Sequence, residues 1–271
     1  MANHEVGEVK TGDGIEIVDD IEVVDDLRIV EDFAQDANSI GGLHGSAKGN
    51  RNVEKRLAAM ARVADLGGER LLDIGCGTGE YTRALATMYD RVDGIEIEQT
   101  RLELFQEDTP DNVELQLMSA NEMSYDDDTF DTVVMIEVLE HLSDVPSALR
   151  EVARVLKPHG RLVLTTPSRR WPLEQHGVLF RGKRYKSIFA PGLVWVKPLH
   201  RRLSDADAFE PSDLRRLADQ SGLVLEGHTF MMPPLDSLAE GHRVHQVTDQ
   251  AENYIKDVFG QTIVASLKLA N

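Results

Sequence analysis

From residue 50 onward the chain alternates between short apolar runs and stretches whose apolar residues recur every three or four positions. Val53, Leu57, Ala58, Met60, Ala61 and Val63 fit one helical face over 50–64, and Gly67-Gly68 stops it. Apolar runs then predict strands at 70–74, 91–97, 112–117, 130–136 and 160–166, with helices near 79–88, 98–107 and 145–156 between them. Strands separated by helices of this length need right-handed crossovers, which implies a parallel sheet covered on both faces. The pattern breaks after Pro167 and resumes near Ser204. A helix at 211–221, opened by Pro211-Ser212-Asp213, is followed by a strand at 222–229, a polar helix at 242–259 and a closing strand at 261–269. Such an ending fits an antiparallel last pair. The expected fold class is α/β, a Rossmann-like doubly wound sheet, mostly parallel with an antiparallel last strand.

Composition narrows the picture. With 41% hydrophobic and 28% charged residues in 271, the bulk of the chain should fold. Thr132 to Ile136 and Leu162 to Thr165 are among its longest apolar stretches, far short of the roughly 20 residues that span a bilayer. The start, MANHEVGEVK, lacks the basic and apolar segments of a secretory signal, so a cytoplasmic location is expected. A lone cysteine, Cys76, excludes an intramolecular disulfide and a thiolate-rich metal cage. The net charge of −18 disfavours broad capture of nucleic acid. Residues 1–36 alone hold twelve acids against Lys10 and Arg28. Like-charge repulsion there suggests an acidic tail over 1–45, solvated or serving as a partner-binding arm, ahead of a folded domain at 46–271.

Candidate chemistry starts at Leu71-Leu72-Asp73-Ile74-Gly75-Cys76-Gly77-Thr78-Gly79, an apolar strand running into three alternating glycines and a helix. Glycine permits backbone angles closed to other residues and lets a ligand come close, and the carboxyl end of a strand is where open α/β sheets bind ligands. A dinucleotide site would want its third glycine at position 80, where Glu80 stands and would repel a pyrophosphate. Glu96 ends the next strand, 21 residues after Gly75, where a carboxylate can accept hydrogen bonds from both hydroxyls of a ribose.

These segments together resemble the class I S-adenosylmethionine-dependent methyltransferases, closely over about 50–167 and loosely beyond. LLDIGCGTGEYT resembles the glycine motif of that family and GIEIE its ribose-binding acid. SYDDDTFDTVVMIEVLEHL is similar to its fourth strand and following loop, and REVARVLKPHGRLVLTTP to its helix, turn and fifth strand. The resemblance implies the seven-stranded methyltransferase fold and S-adenosyl-L-methionine as cofactor. It also implies that Asp73 and the backbone of Gly75, Cys76, Gly77 and Gly79 hold the methionine part, and that Glu96, with Ile97 beside it, holds the ribose. Ser119, Ala120 and Asn121 would lie against the adenine, and Glu137 completes the expected cofactor-binding set. An aspartate is common in the family where Ser119 stands, so a neutral and weaker adenine partner is expected. His159 replaces a common glycine in the KPHGR turn, and Gly160 remains.

Methyl transfer needs mainly in-line placement of acceptor and methyl, plus a base where the acceptor must lose a proton. His141 follows the fourth strand and has a side chain suited to accept that proton. The EHL tail also resembles that of ubiquinone-biosynthesis O-methyltransferases, which raises His141 as the catalytic residue. The alternatives are a loop cap or a partner of Glu137. Glu140 and His141 could touch a divalent ion, but two adjacent ligands do not make a site, and His242 and His245 lack a third ligand; no metal is expected.

The stretch 167–204 reverses the charge: nine basic residues between Pro167 and Arg202 against Glu174 alone. Trp171, Phe180, Tyr185, Phe189 and Trp195 are interleaved with them, as in an interfacial anchor on anionic lipid. By the family analogy this insertion is a lid over the acceptor pocket. The expected acceptor is a small molecule or a lipid-linked one, polyprenyl or glycan, with peripheral membrane contact through 169–202. A solvated surface excursion, an RNA-directed methyltransferase and a non-catalytic cofactor-binding relative remain as alternatives.

Overall fold

The computed structural model describes residues 47–180, 183–185, 191–204, 206–232 and 255–270. The acidic segment 1–45, most of the helix expected at 242–259, and His242 with His245 lie outside the described residues. The described chain begins with α1 (Ala47–Met60) and β1 (Gly68–Ile74), then α2 (Glu80–Leu85), β2 (Tyr89–Glu96), α3 (Gln99–Gln106) and β3 (Val113–Leu117). β4 (Phe130–Ile136), a 3-10 turn at Leu139–His141, α4 (Val145–Val155) and β5 (Leu156–Pro167) follow. The insertion contains a small hairpin, β6 (Val178–Phe180) with β7 (Lys183–Tyr185), then a 3-10 turn at Leu193–Trp195 and α5 (Lys197–Leu203), an element that the sequence pattern does not mark. After it come α6 (Pro211–Asp219), β8 (Leu223–Met231) and β9 (Thr262–Leu269).

Seven strands form one sheet in the order β3-β2-β1-β4-β5-β9-β8. β1 pairs in parallel with both β2 and β4, and β5 in parallel with β4. β9 is antiparallel to both of its neighbours. The closing strand is therefore last in the chain but not at the edge, because β8 lies outside it. Six consecutive buried positions in β9, Thr262 to Leu267, suit an inner strand covered on both faces.

Alternation along each strand sends side chains to two separate cores. Leu72 and Ile74 of β1 pack with Ala148, Leu149, Val152 and Val155 of α4 and Leu214 and Ala218 of α6. Leu71 points the other way, into a core with Val53, Leu57 and Met60 of α1, Leu85 of α2 and Leu102 and Phe105 of α3. This is the doubly wound arrangement that the strand and helix spacing predicts. The helix expected at 79–88 shortens to α2 because β2 already begins at Tyr89, whose ring is buried.

Connections from β1 run towards β2 and β3, whereas those from β4 run towards β5. The order thus reverses between β1 and β4, and a crevice opens at their carboxyl ends, where such sheets take ligands. The insertion leaves the carboxyl end of β5 and so lies at the same end of the sheet. Arg169 ties its base to the domain, donating to Ala208 O at 2.6 Å and to Asp213 at 2.9 Å.

Candidate functional site

The turn after β1 is built by three glycines with φ of 75° (Gly75), 54° (Gly77) and 84° (Gly79). Each permits a different thing. A Cβ on Gly75 would stand 2.4 Å from Val138 Cγ2, so glycine lets the turns after β1 and β4 touch. A Cβ on Gly79 would collide with the Phe105 ring at 2.2 Å. A Cβ on Gly77 would meet no atom of the described residues within 4 Å other than its chain neighbours, so this position has room beside it. Cys76 is buried, its side chain close to Gly94, and burial pushes its thiol far up; it serves the turn through its backbone.

Two carboxylates flank the turn. Asp73 is buried at the end of β1 and accepts a hydrogen bond from the Thr82 hydroxyl at 2.7 Å. Burial raises its carboxyl to about 6, against the Thr82 bond, with the charge of Glu96 adding to the rise. Glu96 is also buried, and it accepts from Gly77 N at 3.0 Å on Oε2, and from Ile97 N at 2.8 Å and Glu98 N at 3.0 Å on Oε1. The side chain is locked in place against the glycine turn, and Oε2 keeps capacity for a further donor. Ile97 itself is 75% exposed, so only its backbone takes part in that lock.

Ser119, Ala120 and Asn121 follow β3 on the same side. Ala120 is buried; the Ser119 hydroxyl accepts from Asn121 N at 3.2 Å, and Asn121 Nδ2 donates to Asp144 O at 2.8 Å. The serine therefore shapes its own loop while retaining a second lone pair and its proton.

Across the crevice, Glu137 takes the left-handed φ of 55°, a strained geometry for a residue other than glycine, as the chain leaves β4. Its Oε1 accepts from Arg56 Nη1 of α1 at 2.5 Å and from the Thr165 hydroxyl at 2.9 Å. Burial opposes its charge, but Arg56 and these bonds outweigh burial and hold the carboxyl below the usual range. Glu140 is buried on the next turn: Oε2 accepts from the Thr166 hydroxyl at 3.1 Å, and Oε1 has no hydrogen-bond partner among the described residues. Burial first, and the charge of Glu137 second, push its carboxyl well up.

His141 is exposed on the same turn, its ring edge-to-face with that of His176, with centroids 4.9 Å apart. Glu140, His141 and His176 each offer a ligand atom within 4.8 Å of the others. The expectation of no metal rested on two adjacent ligands in the sequence, and the fold brings a third beside them from the insertion. Local spacing could not find His176, which follows His141 only after the whole of α4 and β5. Arg56 left a fainter signal: it lies three residues after Val53 and four before Met60, a cation on the apolar face of α1.

A seven-stranded doubly wound sheet with a glycine turn and a backbone-locked carboxylate at its reversal point defines an α/β protein of the doubly wound class that takes ligands at the carboxyl ends of its strands. The comparisons narrow this to one family. The methyltransferase domain profile matches residues 72–164. An O-methyltransferase of Penicillium expansum is 33% identical over 181 residues, covering 61% of this chain and 64% of its own length. A ubiquinone biosynthesis O-methyltransferase of Aromatoleum aromaticum is 32% identical over 175 residues, covering 62% of this chain and 69% of its own. The crystal structure of an S-adenosylmethionine-dependent methyltransferase from Mesorhizobium loti shares the fold with a TM-score of 0.55 at 18% identity, covering 78% of this chain and 95% of that one. The chain spans 64%, 42% and 48% of the length of three of its curated relatives. It belongs to the class I S-adenosylmethionine-dependent methyltransferases, whose cofactor is S-adenosyl-L-methionine.

Proposed function

We propose that this protein moves a methyl group from S-adenosylmethionine to a hydroxyl oxygen of a small or lipid-linked acceptor. The observation that supports the reading is the glycine turn after β1, open at the Gly77 Cβ position, with Glu96 locked against Gly77 N and Asp73 buried at the strand end before it. Asp73, when ionised, would face the ammonium of the methionine part, the Gly75–Gly79 backbone would follow it, and Glu96 would accept from the sugar. Ser119, Ala120 and Asn121 would border the adenine. When bound, the cofactor supplies an electrophilic methyl whose C–S bond electrons pass to sulfur, leaving a neutral thioether.

What remains for the chain is placement and one proton. The acceptor oxygen forms the new C–O bond, and His141 takes the proton that the hydroxyl loses. The names of the O-methyltransferase relatives support oxygen as the methylated atom, and the relative named for ubiquinone biosynthesis supports a lipid-linked acceptor.

The insertion supports a lipid-linked acceptor too. Trp195, Val196 and Leu199 are 59%, 51% and 46% exposed, and the exposed cations Lys197, Arg201 and Arg202 stand among them. An apolar patch rimmed by cations suits an anionic lipid surface. The test is to incubate the protein with methyl-labelled cofactor and either a bacterial lipid extract or an RNA pool. Label in lipid or in a small phenolic product is expected. Label in RNA overturns the acceptor class, and cofactor binding with no transfer to any pool overturns the enzyme reading.

A further inference from the structure

We infer that His176, carried by the insertion, is a positioning residue for His141, and that the buried Glu174 and His200 pair sets His176. The inference deepens the proposed function and rests on His141 as the proton acceptor. His141 belongs to the domain, at the end of a 3-10 turn of three residues, and its side chain is exposed. The orientation of an exposed imidazole depends on what its ring touches. The His176 ring meets it at 90°, the edge-to-face geometry that aromatic rings prefer.

His176 is itself held on two sides. Glu174 Oε1 accepts from the His176 backbone N–H at 3.0 Å and lies 3.8 Å from Nδ1. The other oxygen of Glu174 pairs with Nε2 of His200 on α5, with both residues buried. On the opposite side, His176 Nε2 is 4.0 Å from Glu140 Oε1, the buried carboxyl oxygen that has no hydrogen-bond partner among the described residues. The ring is confined between two buried carboxyl groups, and its orientation passes to His141 by contact. The acceptor side of the site is thereby assembled from the domain and the insertion together, and loosening the insertion should disorder the base without touching the cofactor turn.

The experiment compares His176→Ala, His176→Phe and Glu174→Gln with the full chain. Each is checked for folding by calorimetric titration with S-adenosylhomocysteine, which the inference leaves unchanged. Relaxation of the His141 ring is read by NMR on protein labelled with 13Cε1-histidine, and turnover is read with 4-nonylcatechol as acceptor probe. His176→Ala should free the His141 ring and lower kcat about tenfold with the KM for cofactor unchanged, and Glu174→Gln should do the same to a smaller degree. His176→Phe, which keeps the ring edge that His141 meets but loses the nitrogens facing Glu174 and Glu140, should restore ring order and turnover only in part, between His176→Ala and the unaltered protein. An ordered His141 ring in His176→Ala overturns the inference, as does a Glu174→Gln protein whose His141 ring is as ordered as in the unaltered chain. Should the ring respond as expected while His141→Ala turns over like the unaltered protein, the positioning stands and the base reading fails.

Discussion

At the scale of single residues, the proposed cofactor turn is preceded by a carboxyl that burial raises. Asp73 is raised to about 6 chiefly by burial, and a cation bound beside it favours the ionised form. Lowering the pH through that value protonates Asp73 and removes the attraction. Affinity for S-adenosylmethionine should therefore fall about tenfold per pH unit below about 6; a flat calorimetric profile from pH 7.5 to 5 would count against Asp73 as the ammonium partner. The same raised value means that the folded chain holds this proton more tightly than the unfolded one. Its contribution to stability is fully present below the ordinary aspartate range and is lost as the pH rises through about 6. The Gly77 position has room beside it, so Gly77→Arg should abolish cofactor binding by filling the approach, and unchanged binding would refute the site. His159 tests backbone strain apart from function. Its φ of 70° is left-handed, and His159→Gly should raise stability by about 0.5 kcal/mol in urea melts, relief of strain exceeding the gain in unfolded-chain freedom. Gly160 beside it has no such latitude, because a Cβ there would stand 2.9 Å from Lys157 O.

Among elements, the connection that matters most for the site is the one α1 makes. Arg56 leaves its apolar face and reaches Glu137 and the Thr165 hydroxyl, joining the helix before β1 to the loop after β4 and to β5. Arg56→Met would leave the half-buried Glu137 carboxylate without its cation, and a loss of about 2 kcal/mol in denaturant melts is expected. A change below a few tenths would mean that Glu137 is solvated and α1 is held by Val53, Leu57 and Met60 alone. The insertion is the second such connection. Burial opposes the charge of Glu174, but its bonds with His176 and His200 outweigh burial and bring its carboxyl down to about 2. A depressed carboxyl stabilises above its ordinary pKa of about 4.5 and loses that contribution as the pH falls towards 2. Amide exchange over 173–203, corrected for its intrinsic rate, should thus accelerate in acid before exchange in β1 and β4 does.

Over the whole molecule, the charge is unevenly divided. A chain of −18 carries nine cations and one acid between Pro167 and Arg202, and α5 with the turn before it exposes part of that surface beside Trp195 and Leu199. Among the described residues no helix is long and apolar enough to cross a membrane. Binding to vesicles containing anionic lipid should weaken steeply as salt rises past the ionic strength where the Debye length falls below about 10 Å. Substituting Trp195 and Leu199 together by Ser should weaken it at any salt. Binding to neutral vesicles as strongly as to anionic ones would remove the cations from the account.

What is local could be read from the residues alone. The periodicity of apolar positions marks each strand from β1 to β5 and the helices between them, because burial on two faces leaves a short-range imprint. The glycine turn and Glu96 are equally legible, since a backbone angle and a strand-ending acid are properties of neighbouring residues. The place of β9 between β5 and β8 came only with the assembled sheet, since pairing order is fixed by which edges meet and not by the strand's own pattern. So did the meeting of Arg56 with Glu137, 81 residues away, and of His176 with His141. A buried charge or an imidazole finds its partner through the fold, where removal from water makes pairing necessary, and no spacing in the chain records which partner that will be.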